Sequence, residues 1–168
     1  GAGSWGTALG CVLGQNQHRV TLWGRDPEQI AEMTATHENR RYLPGIRLPQ
    51  GRRFSSDLAA ALRALPADAP SMLVAVVPSH TMRQVIGQVA AFIPSQALVV
   101  TASKGIENET QATMVEVLQA VLPPSLKERI AVLSGPSFAR ETAEGQPTAV
   151  VVAARQRAVA EAVQRAFQ

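Results

Sequence analysis

Short runs of apolar residues recur along this chain, each separated from the next by a helical pattern. Met72–Val77, Ala97–Thr101, Ile130–Leu133 and Thr148–Ala153 are the clearest runs. Amphipathic stretches at residues 81–93, 110–122 and 137–143 lie between them. A run that is apolar at every position predicts a strand covered on both faces, because alternate side chains of a strand point to opposite sides. Strands alternating with helices predict crossover connections and a parallel sheet. The remaining elements follow from local signals. Residues 7–17 predict a helix and residues 19–23 a short strand. Asp26-Pro27 predicts a helix start, a capping carboxylate followed by proline at the first helical position, with the helix running to about His37. Tyr42–Pro49 reads as a loop punctuated by proline and glycine. Phe54 predicts a short strand, Asp57 caps a helix to about Leu65, Pro123-Pro124 closes the 110–122 helix, and residues 155–167 predict a last helix. The expected fold class is α/β, a doubly wound, mostly parallel sheet with helices on both faces. One domain spanning residues 1–168 is expected.

Composition narrows the function classes. Apolar residues make up 46% of the 168, and charged residues 17%, which is a globular balance. No apolar run is long enough to cross a bilayer, and no secretory leader is visible. The chain has one cysteine, so no disulfide framework can form within it. Cys11 lies among small apolar residues and reads as a buried packing group. The net charge of +3 includes a dense basic stretch at Arg40, Arg41, Arg47, Arg52 and Arg53. Only Tyr42 and Phe54 accompany it, which gives no base-stacking platform, so no nucleic-acid partner is expected. A solvated loop or attraction to a cofactor phosphate fits better. His18, His37 and His80 lack metal-ligand spacing, and no metal is expected. His80, after a predicted strand end, reads either as a surface residue or as a cleft residue.

The chain opens on Gly1-Ala-Gly-Ser-Trp-Gly6, which satisfies G-x-G-x-x-G. In that pattern Gly1 permits a tight turn, Gly3 lets backbone approach a pyrophosphate, and Gly6 lets helix and strand pack closely. The following helix aims free N–H groups and a positive dipole end at the anion. Arg25 and Asp26 follow the next predicted strand, where an adenosine ribose is read. An arginine there favours the 2′-phosphate of NADP, and a carboxylate favours the free 2′-hydroxyl of NAD. Asp26 has the competing role of helix cap, and Arg25 that of an exposed loop residue. The residues favour a site that accepts NADP and leave NAD open.

Two more motifs follow predicted strands. Ser103-Lys104-Gly105-Ile106-Glu107 places an ammonium at a strand end, where ligands bind in open α/β sheets. Ser134-Gly-Pro-Ser-Phe-Ala139 places hydroxyls and backbone N–H groups at another, with Ser137 as a candidate helix cap. No histidine or acid is arranged beside either serine for nucleophilic catalysis.

Taken in order, GAGSWGTAL, LWGRD, HENRRYLPG, VPSH, SKGIE and LSGPSFARETAEGQPTAVVVA resemble bacterial NAD(P)-dependent glycerol-3-phosphate dehydrogenase over essentially the whole chain. The resemblance implies a Rossmann-like, NAD(P)-binding half of an enzyme. That enzyme reversibly reduces dihydroxyacetone phosphate to sn-glycerol 3-phosphate in the cytoplasm, feeding phospholipid synthesis. It implies that Gly1, Gly3, Ser4, Trp5, Gly6, Arg25, Tyr42 and Ala139 contact the cofactor. Gly135 and Ser137 would contact the substrate, and Lys104 both. The family's proton-transferring lysine and an Arg-Asn substrate-phosphate pair lie in a helical second domain, which also offers a dimer interface. No catalytic residue is therefore expected among residues 1–168. On this resemblance the chain is a domain trimmed at both ends, with a central first strand ahead of Gly1, and marginal stability is expected without it. Another two-domain reductase of phosphorylated or hydroxy-acid substrates, or a nicotinamide-sensing module without chemistry, are the competing readings.

Overall fold

The computed structural model describes residues 1–66 and 68–168. In chain order the elements are α1 (Ser4–Gln15), β1 (Thr21–Trp23), α2 (Pro27–Thr36), β2 (Glu38–Asn39), β3 (Leu43–Arg47), β4 (Arg53–Ser55) and α3 (Leu58–Arg63). There follow β5 (Met72–Ala75), α4 (Ser79–Val89) with a 3-10 turn at Ala90–Phe92, β6 (Leu98–Thr101), α5 (Met114–Val121) and α6 (Pro124–Lys127). The chain continues through β7 (Ile130–Ser134), α7 (Ala139–Ala143), β8 (Val151–Ala154) and α8 (Arg157–Phe167). The fold is mixed α/β with mostly parallel pairing among its longer strands. No helix among the described residues is long and apolar enough to cross a membrane. The chain divides into two compact units, one of Gly1–Ala61, Gly135–Val150 and Ala166–Gln168, the other of Leu62–Ser134 and Val151–Arg165.

In the first unit α1 buries Gly6 through Cys11 together with Leu13. Small residues let it lie close to β1: a Cβ on Gly10 would stand 3.1 Å from a Leu22 methyl. Cys11, Leu22, Ile30, Met33 and Leu48 make the core cluster, as the reading of Cys11 as a packing group requires. Each such side chain contributes roughly 1.5–3 kcal/mol of apolar burial. Near the end of α1, the Arg52 guanidinium fills the space where a Cβ on Gly14 would sit. Two of its nitrogens, Nε and Nη2, are buried there without a hydrogen-bond partner. β1 pairs in parallel with β4, Leu22 against Phe54. Asp26 caps α2 as its sequence predicts, its Oδ1 accepting from the amides of Glu28 and Gln29 at 3.0 and 3.3 Å. His37 ends the helix in the left-handed conformation, φ 52°.

The loop expected at residues 42–49 is instead largely strand. β3 pairs antiparallel with β2, Glu38 opposite Arg47 and Asn39 opposite Leu43. Pro44 lacks an N–H and Gly45 sits at φ 80°, features that a short strand at a sheet edge tolerates and a central one does not. The Gly45 amide donates to Glu38 Oε1 at 2.7 Å and, with Arg40, holds that carboxyl below its usual range.

The second unit holds one sheet in the order β5-β6-β7-β8. β5–β6 and β6–β7 are parallel, and Val99, Val100 and Ala131 are wholly buried at its centre. Two expectations need correction. β5 is half-buried over Met72–Val74 rather than covered on both faces, since β6 is its one strand partner among the described residues. β8 runs antiparallel to β7, Ser134 opposite Val151. The reason is length. The five residues of α7 rise about 7 Å, too little to carry the chain back past the five-residue β7 at about 17 Å. α5 begins at Met114 and not at residue 110, because Thr113 and Glu116 close a reciprocal capping box. Pro124 starts a further short helix instead of merely ending the one before it.

Candidate functional site

The glycine loop leads straight into α1. Gly3 is the cap residue, and no side chain bonds the first-turn amides. Those N–H groups are therefore left facing outward, the arrangement that receives a phosphate. A Cβ on Gly3 would meet no atom within 4 Å, so open space adjoins the backbone there. Loop and helix start thus fit a pyrophosphate.

What shapes this loop is a buried polar network that local sequence signals do not reveal. Asn39 is fully buried. Its Nδ2 donates to the Ala2 carbonyl at 3.0 Å and to Thr7 Oγ1 at 2.7 Å. Its Oδ1 accepts from the Tyr42 amide at 3.2 Å and from Gln29 Nε2 at 3.3 Å. Gln29 Nε2 also donates to the Ala2 carbonyl, at 2.7 Å, and Thr7 Oγ1 donates to the Gly3 carbonyl at 2.7 Å. One amide therefore ties the glycine loop to α1, to α2 and to the segment carrying Tyr42, with all of its hydrogen-bonding capacity used.

Arg25 and Asp26 separate clearly. Both oxygens of Asp26 are engaged, Oδ1 by the α2 amides and Oδ2 by Arg41 Nη1 at 2.7 Å. Arg25 is exposed and makes no ion pair among the described residues. Arg41 also lies over the exposed Tyr42 ring, 5.3 Å from its centroid. Ser4 is exposed, while Trp5 and Ala139 pack against one cluster formed by Ala8, Leu43 and Ala143. The structure thus brings Trp5 and Ala139 together.

In the same unit Gly135 is confined twice over. Its φ is 153°, and a Cβ would stand 2.7 Å from the Ala149 carbonyl oxygen. Ser137 does not cap α7. The cap position is Phe138, without a side-chain bond, and Ser137 Oγ makes only a long 3.4 Å bond to the Gly135 carbonyl. The hydroxyl is left for another role. Phe138 itself is 70% exposed.

In the second unit Lys104 is exposed just beyond the end of β6. The preceding residue is braced: Ser103 Oγ donates to the Val77 carbonyl at 2.6 Å and accepts from the Val77 amide at 3.0 Å. Gly105 follows at φ 95°, with Ser79 against it. His80 is exposed. Glu107, read only as part of its motif, is buried and paired with Arg83 of α4. The signals that point to Asn39 and Glu107 are their positions inside the HENRRYLPG and SKGIE motifs. No group of ligating residues able to hold a metal occurs among the described residues.

Known proteins were then compared with this chain. A family model described as NAD-dependent glycerol-3-phosphate dehydrogenase N-terminus matches residues 1–160. A glycerol-3-phosphate dehydrogenase [NAD(P)+] from a Geobacter species is 50% identical over 99% of this chain and 48% of its own length. The crystal structure of glycerol-3-phosphate dehydrogenase from Coxiella burnetii superposes with a TM-score of 0.88 at 31% identity, over 100% of this chain and 49% of that one. A structure from Dunaliella salina reaches a TM-score of 0.84 at 23% identity, over 100% of this chain and 31% of that one, which supports the fold alone. The chain spans about half the length of the curated relatives it matches.

Proposed function

This chain belongs to the family of NAD-dependent glycerol-3-phosphate dehydrogenase N-terminal regions, and on that premise we propose that it is the cofactor-binding part of an oxidoreductase. The reaction is the reversible reduction of dihydroxyacetone phosphate to sn-glycerol 3-phosphate with NAD(P)H. The observation that carries the proposal is the glycine loop, held in shape by a buried amide at the uncapped start of α1. Gly1, Gly3 and Gly6 admit the pyrophosphate, and Ser4, Trp5, Tyr42 and Ala139 line the cofactor. Arg25 reads the adenosine ribose. Because Asp26 has both oxygens engaged, the free guanidinium next to it favours the 2′-phosphate, so NADPH is the better cofactor. When bound, the nicotinamide supplies the hydride.

Lys104 contacts both cofactor and substrate, its ammonium offsetting the negative charge of the phosphorylated substrate and of the oxygen that gains electrons. Gly135 and Ser137 contact the substrate through backbone and hydroxyl. None of these groups is assigned the proton transfer, which belongs to the lysine of a helical second domain. That domain also provides the dimer interface, and the enzyme works in the cytoplasm at the entry to glycerophospholipid synthesis. The full-length protein should consume NADPH when given dihydroxyacetone phosphate, as followed by loss of NADPH absorbance. Lys104→Ala should lower kcat/KM by about a hundredfold, as expected for loss of a charged group from a reacting centre. Absence of turnover in the full-length protein would overturn the reaction, and unchanged kinetics in the variant would overturn the role of Lys104.

A further inference from the structure

Glu107 is the only buried acidic or basic residue among the described ones, 8% exposed. Burying a carboxylate is costly unless it is paired and hydrogen-bonded. Here every polar group of the residue is satisfied. Arg83 donates from Nε to Oε1 at 2.9 Å and from Nη2 to Oε2 at 2.8 Å, a two-pronged pair. Thr110 Oγ1 donates to the same Oε2. The Glu107 amide donates to the Ala112 carbonyl at 2.9 Å, and its carbonyl accepts from the Gln111 amide at 2.8 Å. Gln111 takes φ 56° to make that turn, and Ile106 bridges to Thr113. This machinery stands three residues after Lys104, and the Ser103–Val77 brace stands one residue before it.

Resting on the role proposed above for Lys104, we propose that Glu107 is a positioning residue. Its ion pair with Arg83 clamps the 105–113 turn to α4, and with Ser103 it fixes the backbone on both sides of Lys104. A long flexible ammonium side chain is useful at a reacting centre only if its root is held, and a misplacement of about 1 Å costs on the order of a hundredfold in rate. Glu107 therefore acts on substrate through Lys104.

The test is a double-mutant cycle on the full-length enzyme with NADPH and dihydroxyacetone phosphate, using Glu107→Gln and Lys104→Ala. Glu107→Gln alone should lower kcat/KM by about tenfold or more. In the Lys104→Ala background the same substitution should change it by less than about twofold, because the group being positioned is gone. Asp57→Ala, which removes the α3 cap far along the sequence from the clamp, is the stability control and should leave kcat/KM unchanged at a comparable fall in thermal midpoint. An equal loss from Glu107→Gln in both backgrounds, or no loss in either, overturns the inference while leaving the role of Lys104 intact. A Lys104→Ala enzyme as active as the parent overturns both. Should Glu107→Gln fail to fold, Thr110→Val, which removes one hydrogen bond from the same carboxylate, enters the same cycle and is judged by the same two outcomes.

Discussion

Replacing Asn39 by leucine keeps the side-chain size while deleting its donors and acceptor. The structure then allows a count of what is lost. The Ala2 carbonyl keeps Gln29 as a partner, Thr7 keeps the Gly3 carbonyl, and Gln29 keeps the Ala2 carbonyl. The Tyr42 amide loses its side-chain acceptor. Buried neutral hydrogen bonds are worth about 1 kcal/mol each net, and a stranded donor costs about 1–3 kcal/mol. With three shared contacts weakened and one donor stranded, the loss is about 3–5 kcal/mol. That is a large part of the ~5–15 kcal/mol that holds a typical domain. Urea unfolding of the full-length protein should show it as a lower midpoint. Because the Ala2 carbonyl belongs to the glycine loop, cofactor affinity should fall as well, by at least about tenfold in a titration, equivalent to about 1.4 kcal/mol. Asn39→Asp should be no better, since it sets a carboxylate oxygen against the Ala2 carbonyl where a donor is needed. If Asn39→Leu stayed within about 0.5 kcal/mol of the parent, as surface substitutions do, the network would be mere filling and the reasoning would fail.

Further predictions follow from single contacts. Gly135→Ala should cost more than about 1 kcal/mol in urea unfolding and raise the KM for dihydroxyacetone phosphate, since its Cβ meets the Ala149 carbonyl at a φ that only glycine favours; an unchanged midpoint would refute this. Arg25→Ala should weaken NADPH about tenfold more than NADH in kcat/KM, and equal losses would remove the 2′-phosphate from the argument. Arg83, together with Thr110, holds the Glu107 carboxyl below its ordinary range. The stability it contributes is thus present above about pH 4.3, the unfolded value, and fades as the pH falls from there through the folded one. Glu107→Gln should flatten that acid limb of the stability profile, and an unaltered limb would show that the ion pair does not contribute.

The sequence made the order of elements readable because short apolar runs and caps such as Asp26 and Asp57 are local signals. It hid β3 because Pro44 and Gly45 look like loop residues, and their tolerance depends on an edge position that only pairing reveals. The antiparallel turn of β8 was hidden for a similar reason: an apolar run does not state its direction. The start of α5 was in principle legible, since Thr113 and Glu116 have capping-box spacing, but Thr110 is an equally ordinary helix-opening residue. At the site, the glycine loop and Lys104 were legible as motifs. Asn39 and Glu107 were not, because polar residues read as surface until their partners are known. Gln29 and Arg83 lie 10 and 24 residues away from them. Ser137 was misread as a cap because serine before a helix usually is one.

The Arg52 side chain resting in the gap at Gly14 couples two positions that are distant in sequence. Alanine in place of a helix-interior glycine ordinarily stabilises by about 1 kcal/mol. In α1 that methyl group occupies the guanidinium's space, so the helix cannot be improved by itself. Positions 14 and 52 are expected to drift together in related sequences, a small residue tolerating a long partner and a larger one demanding a shorter. For anyone redesigning the protein, the unit of change is the pair.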